Sequence, residues 1–413
     1  RDSSTSRGLG DVYKRQEVDK MIVSDSVKYI GVDDTDIDLF ESQYPVPDGV
    51  SYNSYVILDD KIAVMDTVDE RKTDEWFSNL TEVLEDRQPD YLVISHLEPD
   101  HSSNIERLAV RYPDMKLVGN AKTFQMLPQF FDMDFSERSI VVKEGEELSL
   151  GTHKLVFYMA PMVHWPEVMV TYEATEKILF SADGFGKFGA IELTKDKDWA
   201  CEARRYYFNI VGKYGGPVQQ LLKKAAGLDI NMICPLHGPV LKDNLGYYTG
   251  LYDTWSRYEP ENKGVLIAYA SIHGNTAKAA YELADMLKKA GEDKVVVSDL
   301  SREDMAEVIE DAFRYDRMIL CAASYDGGVF PCMQEFLLRL QSKAYQNRTV
   351  GMVENGSWAP CAARVMRSIV DTFKNITVVE PVVTIKSTVK ESDKAALSSL
   401  AQAIYEAADK TVE

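Results

Sequence analysis

The sequence contains few cysteines, and none of them forms a recognisable metal or disulfide pattern. Only five occur among 413 residues, and no two form a Cys-x-x-Cys pair. Their odd number and wide spacing favour reduced thiols in the cytoplasm over a disulfide framework. They also argue against a rubredoxin-like four-cysteine iron site or an iron–sulfur cluster within this chain. Any electrons that the protein uses must therefore be carried by another group.

Positive charge and long apolar segments are also scarce. Lysine and arginine number 46 against 66 acidic residues, which gives a formal net charge of -20. This balance argues against nucleic acid or an anionic membrane as a partner. No apolar run approaches the ~20 residues of a membrane-spanning helix, and no signal-peptide pattern opens the chain. The 45% of hydrophobic residues is nevertheless enough for two or three globular domains.

The first 16 residues show no apolar periodicity and no motif. They resemble translated sequencing-adapter DNA, although an ordinary disordered tail fits the same composition. We therefore treat residues 1–20 as a leader that is either non-native or disordered, with Met21 as the candidate native start.

The strongest signal in the N-terminal half is the run Ser-His-Leu-Glu-Pro-Asp-His at residues 95–101. It follows Tyr91–Ile94, an apolar run typical of a buried strand. Four metal-ligand side chains thus fall within six positions. Alternate residues of an extended loop can serve two adjacent cations. The competing interpretation is a helix start, in which Asp100 or Ser102 caps the helix and the histidines are solvated.

Three further ligand candidates, His164, Asp183 and His237, lie at the ends of later apolar runs. Each alone is weak, because a single histidine, or an aspartate before glycine, is usually structural. In the order His-x-Glu-x-Asp-His, His, Asp, His, however, the set resembles the metallo-β-lactamase superfamily. That resemblance implies an αββα sandwich whose metal ligands lie on loops at one sheet edge.

Glu98 stands where hydrolases of that superfamily carry a histidine. Imidazoles with water suit Zn2+ hydrolysis, whereas additional carboxylates favour iron and stabilise its higher oxidation state. We therefore expect iron, and a zinc site remains the alternative.

The second half begins after a polar stretch at residues 259–264, whose proline and glycine predict a domain boundary. A buried strand, Val265–Ala270, leads directly into Ser-Ile-His-Gly-Asn-Thr at 271–276, and apolar spacing predicts a helix over 277–290. This order aims backbone N–H groups at a phosphate. Because the Gly-x-x-x-x-Gly-Lys of nucleotide hydrolases is absent, a terminal monophosphate is the better fit.

Five strand–helix units predict a doubly wound parallel sheet of flavodoxin-like order, with its ligand at the carboxyl ends of the strands. The expected strands include Arg317–Ala323, Thr349–Glu354 and Thr377–Ile385. Loops at 324–331 and 355–360 each offer an aromatic and small residues, as needed to flank an isoalloxazine ring. For Trp358 alone, ordinary packing is an equal alternative.

The loop at 271–276 resembles the flavodoxin phosphate loop, Ser/Thr-x-x-Gly-Asn-Thr. That resemblance implies FMN, with its phosphate held by Ser271, Asn275 and Thr276 and by the backbone of Ile272, His273 and Gly274. The expected flavin-binding residues of the next two loops are Tyr325, Asp326, Gly327, Gly328, Ser357, Trp358 and Ala359.

Together the two halves resemble the flavodiiron protein family, the A-type flavoproteins, over essentially residues 21–413. The resemblance implies two non-haem irons. His96, Glu98 and His164 would bind one, and Asp100 and His237 would bind the other. Asp183 would bridge the irons, and His101 is a candidate seventh ligand. Tyr206, Tyr207 and Trp165 are candidates to line the metal centre.

The resemblance further implies an oxidoreductase that reduces O2 to water, NO to N2O, or both, with FMN re-reducing the irons. The expected assembly is a head-to-tail homodimer or a dimer of dimers, with the FMN of one subunit facing the irons of the other. A separate rubredoxin-like protein is the expected electron donor. The expected domains are a metallo-β-lactamase-like domain over 21–259 and a flavodoxin-like domain over 260–413.

Two other functions stay open. One is a zinc-dependent hydrolase of the metallo-β-lactamase fold with a flavin-binding regulatory domain. The other is an electron carrier whose N-terminal half is only a dimer scaffold.

Overall fold

The computed structural model describes residues 23–409. The predicted leader and the candidate start Met21 lie outside these residues. Between residues 23 and 409, no helix combines the length and the apolar character that crossing a membrane requires.

The N-terminal half contains a mixed sheet of six strands. The first three are antiparallel neighbours, and the last three run parallel to the third. In spatial order, the strands are Val27–Tyr29, Tyr55–Ile57, Ala63–Met65, Tyr91–Val93, Lys116–Asn120 and Ser139–Val142. Helices Thr73–Leu84, Ile105–Arg111 and Ala121–Met126 connect the parallel strands. The buried Trp76 and Leu80 lie on the inward face of the first helix.

A second sheet of five strands faces the first. Its strands follow chain order, and only the last pairing is parallel. They are Glu147–Ser149, Lys154–Met159, Met169–Glu173, Ile178–Phe180 and Met232–Cys234. The rings of Tyr55 in the first sheet and Phe180 in the second lie 5.4 Å apart within one buried apolar cluster. Helices Trp199–Tyr206, Gly215–Ala225 and Leu245–Ser256 complete an αββα sandwich, as predicted.

Two short antiparallel strand pairs are separate from these two sheets. One pairs Val32–Asp34 with Val50–Tyr52, and the other pairs Leu39–Phe40 with Tyr44–Pro45. The second pair lies beside a predicted metal ligand, because the Phe40 ring is 5.5 Å from the ring of His237.

The C-terminal half is a doubly wound sheet. Its five main strands are parallel in the flavodoxin-like order 2-1-3-4-5, as predicted. In chain order they are Asn262–Ala270, Val295–Asp299, Tyr315–Tyr325, Gln346–Asn355 and Lys374–Val378. The flanking helices are Asn275–Ala290, Met305–Arg314, Pro331–Ser342, Ala362–Val370 and Glu391–Glu406.

One predicted strand of this half is wrong. The segment Thr377–Ile385 forms two strands, because Lys374–Val378 ends before Pro381 and a second strand spans Val383–Ile385. Proline cannot donate a ladder hydrogen bond, so the pairing stops there and resumes two residues later.

The two halves are packed together by aromatic and ionic side chains. The rings of Phe208 and Phe313 stack at 4.1 Å. Arg204, which is almost fully buried, lies within hydrogen-bond reach of Glu261 and Glu310. The predicted boundary at residues 259–260 stays a prediction. It falls between the helix that ends at Ser256 and the strand that begins at Asn262.

Candidate functional site

A buried carboxylate shapes the loop that follows Tyr91–Val93. Asp66 accepts hydrogen bonds from the backbone N–H groups of Ser95 (2.6 Å) and His96 (3.3 Å). Burial raises the pKa of Asp66 to about 6. A short helix does begin at Pro99, as one interpretation of the sequence had it. The histidines are not solvated, however, because His96 and His101 are 0% and 1% exposed.

The predicted ligands come together at the strand ends as two adjacent groups, which we call the metal cluster. In each group, one donor atom per residue lies within 4.8 Å of the others. The four-residue group is His96, Glu98, His164 and Asp183, and the three-residue group is Asp100, His101 and His237. The structure therefore brings all seven predicted side chains together, with His101 pointing inward.

Asp183 lies between the two groups. Its Oδ2 is 3.3 Å from His96 Nε2 and 3.2 Å from His164 Nε2. Its Oδ1 is 3.6 Å from His101 Nε2 and 3.7 Å from His237 Nε2. This placement suits a carboxylate that donates one oxygen to each of two neighbouring metal ions.

The donor atoms fit cations better than they fit one another. Both oxygens of Asp100 and Oδ1 of Asp183 are buried without hydrogen-bond partners. Burial alone would lower the pKa of His101, but Asp100 and Asp183 raise it to about 10. Burial would also lower the pKa of His164, but Asp183 and Glu98 together raise it to about 9. A site that draws protons onto its histidines in this way favours positive charge.

Two groups that steer these histidines were not predicted from the sequence. Glu167 Oε1 accepts a hydrogen bond from His96 Nδ1 (2.8 Å), and the backbone oxygen of Ser51 accepts one from His237 Nδ1 (2.7 Å). The only sign of this role in the sequence is that Glu167 follows His164 by three residues. The Ser51 carbonyl has no sequence signature, because every residue carries a backbone carbonyl.

The three residues predicted to line the centre differ in position. Trp165 packs edge-on against His96, with ring centres 5.2 Å apart, and the Tyr206 ring lies 5.5 Å from His237. Tyr207 instead packs against Phe208, Tyr252 and Trp255. The structure therefore places Tyr207 in the aromatic core beside the centre and brings only the other two to the ligands.

A second site, the flavin pocket, lies at the carboxyl ends of the C-terminal sheet. It is a cavity of about 510 Å³. Its lining includes eleven predicted residues: Ser271, Ile272, His273, Asn275, Thr276, Tyr325, Asp326, Gly327, Ser357, Trp358 and Ala359. Gly274 and Gly328 do not line it. Residues that were not predicted also contribute: Ala323, Ser324, Asn355, Gly356, Cys361 and Ser387.

The loop of the flavin pocket is built to receive an anion. Ser271 Oγ accepts a hydrogen bond from the N–H of Gly274 (3.1 Å), which turns the chain into the helix Asn275–Ala290. Gly274 has φ +83°, a conformation that residues with a Cβ rarely adopt. The first two residues of this 16-residue helix line the cavity, and a phosphate is favoured at a helix N-terminus.

The rim of the flavin pocket exposes large apolar side chains. Ile272 and Tyr325 are 42% and 44% exposed, and Trp358 is 93% exposed. The structure therefore does not support ordinary packing for Trp358. A larger apolar groove of about 820 Å³ lies between helices Gly215–Ala225 and Leu245–Ser256, and it shares no residue with either site.

The family model described as ODP family beta lactamase matches residues 50–238, which include all seven members of the metal cluster. An uncharacterised protein of Methanocaldococcus jannaschii is 28% identical over 86% of this chain and 89% of its own length. A protein named nitric oxide reductase from Moorella thermoacetica is 28% identical over 87% of this chain and 91% of its own length. Diflavin flavoprotein A 1 of Synechocystis is 30% identical, and this chain spans about half of it (52%).

Solved structures extend the similarity to nearly the whole chain. Rubredoxin oxygen:oxidoreductase from Desulfovibrio gigas superposes with a TM-score of 0.88 at 26% identity, covering 95% of this chain and 99% of that one. The flavodiiron protein from Giardia intestinalis, at 22% identity, shares the fold with a TM-score of 0.85 over 97% of this chain and all of its own.

Proposed function

We propose that this chain, which belongs to the flavodiiron (A-type flavoprotein) family, is an oxidoreductase that reduces O2 to water, NO to N2O, or both. The observation that carries the proposal is the position of Asp183 between two ligand groups, one of which contains Glu98. A carboxylate-rich pair of sites suits two irons better than a hydrolytic zinc pair. The same chain carries a flavodoxin-like pocket.

In this proposal, the metal cluster holds two irons and the flavin pocket holds FMN. His96, Glu98 and His164 would hold one iron, Asp100 and His237 would hold the other, and Asp183 would contribute to both. The inward position of His101 supports its role as a seventh ligand. Two irons supply adjacent sites for gas binding and electron donation, and FMN converts between one- and two-electron transfer.

The residues around the metal cluster serve two purposes in the reaction. Trp165, Phe40 and Tyr206 close the cluster with aromatic surface, which limits the access of bulk water. Glu167 and the Ser51 carbonyl each accept a hydrogen bond from an Nδ1–H, so that the Nε2 lone pairs of His96 and His237 face inward.

We further propose a head-to-tail homodimer, alone or paired into a dimer of dimers, in which FMN of one subunit faces the irons of the other. The exposed apolar rim of the flavin pocket supports this arrangement, because such side chains favour burial against another protein surface. Leu39, 40% exposed on the hairpin next to the metal cluster, offers apolar surface at the other end. A two-fold arrangement would bury both surfaces twice.

An external rubredoxin-like protein is the proposed electron donor, in the cytoplasm. All five cysteines are free and lie outside the metal cluster. The described chain thus offers no cysteine-bound iron that could take the donor's role.

The test is gas consumption by protein loaded with iron and FMN and supplied with a reduced rubredoxin. We expect rapid uptake of O2, NO or both by the wild type, and almost none by Glu98→Ala. A fully loaded wild type that consumes neither gas would overturn the proposal. Unchanged uptake by Glu98→Ala would point to an electron carrier in which the N-terminal half is a scaffold.

A further inference from the structure

The histidines of the metal cluster differ in what holds the ring nitrogen that faces away from the metal positions. His96 Nδ1 meets the carboxylate of Glu167 at 2.8 Å. His237 Nδ1 meets a neutral backbone carbonyl at 2.7 Å. His101 Nδ1 is buried without a hydrogen-bond partner. A charged partner therefore stands behind a ligand of the four-residue group, and no such partner stands behind the two histidines of the three-residue group.

Glu167 is fixed by several contacts. Its side chain and that of His96 are both 0% exposed. The same Oε1 that meets His96 also accepts a hydrogen bond from the N–H of Leu97 (2.9 Å). The backbone oxygen of Glu167 accepts one from Asn120 Nδ2 (2.6 Å). The carboxylate thus ties the ligand loop at 95–101 to the loop that carries His164.

This contact has two consequences for metal binding. It holds the proton of His96 on Nδ1, which leaves Nε2 free to bind; Nε2 lies 3.2 Å from Glu98 Oε2 and 3.3 Å from Asp183 Oδ2. It also adds a buried negative charge, which makes the imidazole a stronger donor and attracts a cation through a medium of low dielectric constant. At His237, the Ser51 carbonyl fixes the ring in the same way but adds no negative charge, and at His101 the Nδ1 atom has no hydrogen-bond partner.

We propose that Glu167 is a positioning residue that makes the four-residue group the tighter of the two metal sites. The inference rests on the proposed function, since it takes both groups to bind metal. It goes further by ranking the sites and by assigning the difference to one side chain.

The experiment measures Co2+ binding to the metal-free, full-length protein by calorimetry and by the visible absorption of the bound ion. Two backgrounds separate the sites. Asp100→Ala disables the three-residue group, and His96→Ala disables the four-residue group. Glu167→Gln is then added to each, because an amide oxygen can still accept both hydrogen bonds while the charge is gone. Circular dichroism verifies that each variant is folded.

Glu173→Gln is the matched control. Glu173 is also 0% exposed and ends the strand Met169–Glu173 that follows Glu167, but its carboxylate accepts hydrogen bonds from the backbone N–H groups of the turn residues Thr175 and Glu176 rather than from a histidine. Loss of its charge therefore tests whether removing any buried carboxylate near this strand affects metal binding.

We expect tighter Co2+ binding in the Asp100→Ala background than in the His96→Ala background. Glu167→Gln should weaken binding about tenfold in the first background and leave it unchanged in the second. Glu173→Gln should change neither. An unchanged affinity for Glu167→Gln in the first background, an equal loss in both, or an equal loss with Glu173→Gln would overturn the inference alone. Absence of Co2+ binding in the parent protein would overturn the proposed function as well.

Discussion

The metal cluster and the flavin pocket differ in what completes them. In the metal cluster, the side chains are buried and point at one another, and further buried groups such as Asp66 and Glu167 hold them in place. In the flavin pocket, three loops contribute exposed side chains and backbone, and Trp358 is 93% exposed. The comparison teaches that one site is preorganised by the chain itself. The other has an open rim, where large apolar side chains are exposed to solvent.

The largest expected effect comes from Asp183→Ala, which removes the one residue that both metal groups share in our account. We expect the affinity for both metals to fall by more than about 100-fold. That is the upper cost of losing a hydrogen-bond partner of a ligand, and here the ligand itself is lost. FMN binding should stay unchanged. Metal analysis and flavin absorbance measure the two sites separately. Asp229→Ala, a change at an exposed aspartate, is the control. Retention of two metals per chain by Asp183→Ala would contradict the account.

The next prediction joins the two regions across subunits. Ser271→Glu places a negative charge where we expect the FMN phosphate, and Asp183→Ala disables the metal cluster, so each variant alone should be inactive. Co-expression of the two should restore about a quarter of wild-type gas consumption, because half of randomly formed dimers are mixed and each has one intact pair of sites. No recovery despite verified mixed dimers would show that electrons pass within one chain.

A smaller effect tests how the phosphate loop is held. Gly274→Val strains the left-handed conformation at φ +83° and should weaken FMN binding about tenfold, which is ~1.4 kcal/mol, while metal content stays unchanged. Gly145→Val is the matched control, because Gly145 has φ +74° with open space around its Cβ position but lies in the N-terminal half. Flavin fluorescence titration measures both. Equal losses of FMN affinity in the two variants would mean that general destabilisation is the cause.

The last prediction concerns the contact between the halves. Lys343 donates a hydrogen bond from Nζ to the backbone oxygen of Asn209 (2.7 Å), and burial, aided by Arg339, lowers its pKa to about 8. The lowered pKa means that the folded protein binds a proton at Lys343 less readily than the unfolded chain does. The stability that it contributes is therefore present above pH 10.5, the ordinary value, and is lost as the pH falls through 8.

Lys343→Met should remove this pH dependence. As the pH is lowered from 10.5 to 8, the free energy of unfolding should fall more for the wild type than for the variant. The difference between the two decreases should be at most about 3 kcal/mol. Urea unfolding across this range measures the difference, and Lys289→Met, at an exposed helix position, is the control. Parallel pH curves for the wild type and Lys343→Met would contradict the assignment.

The sequence predicted which side chains gather in the metal cluster because each follows a strand, and the fold brings the ends of distant strands together. It could not predict the partner of His96, since Glu167 lies 71 residues away and becomes a neighbour only through the packing of two sheets. The Ser51 carbonyl is invisible for a simpler reason: every residue has one. Tyr207 was misplaced because adjacent tyrosines on a helix point to different faces.

The fold was predicted well where apolar periodicity was strong and less well where proline intervened. The strand predicted over Val265–Ala270 ends at the predicted residue, because its apolar run stops at the polar loop 271–276. The strand expected over Thr377–Ile385 was wrong at Pro381, where backbone chemistry overrides the apolar pattern. The rim of the flavin pocket was predicted as a set of loops, but the exposure of Trp358 follows only from the packing.

The most direct test of the central claim is anaerobic stopped-flow spectroscopy of flavin-reduced protein with known metal content, mixed with O2 and separately with NO. The account predicts two irons and one FMN per chain, with rapid flavin oxidation by at least one gas. That gas would be the substrate. Zinc in place of iron, with only slow flavin oxidation by both gases, would contradict the account and favour a metal-dependent hydrolase.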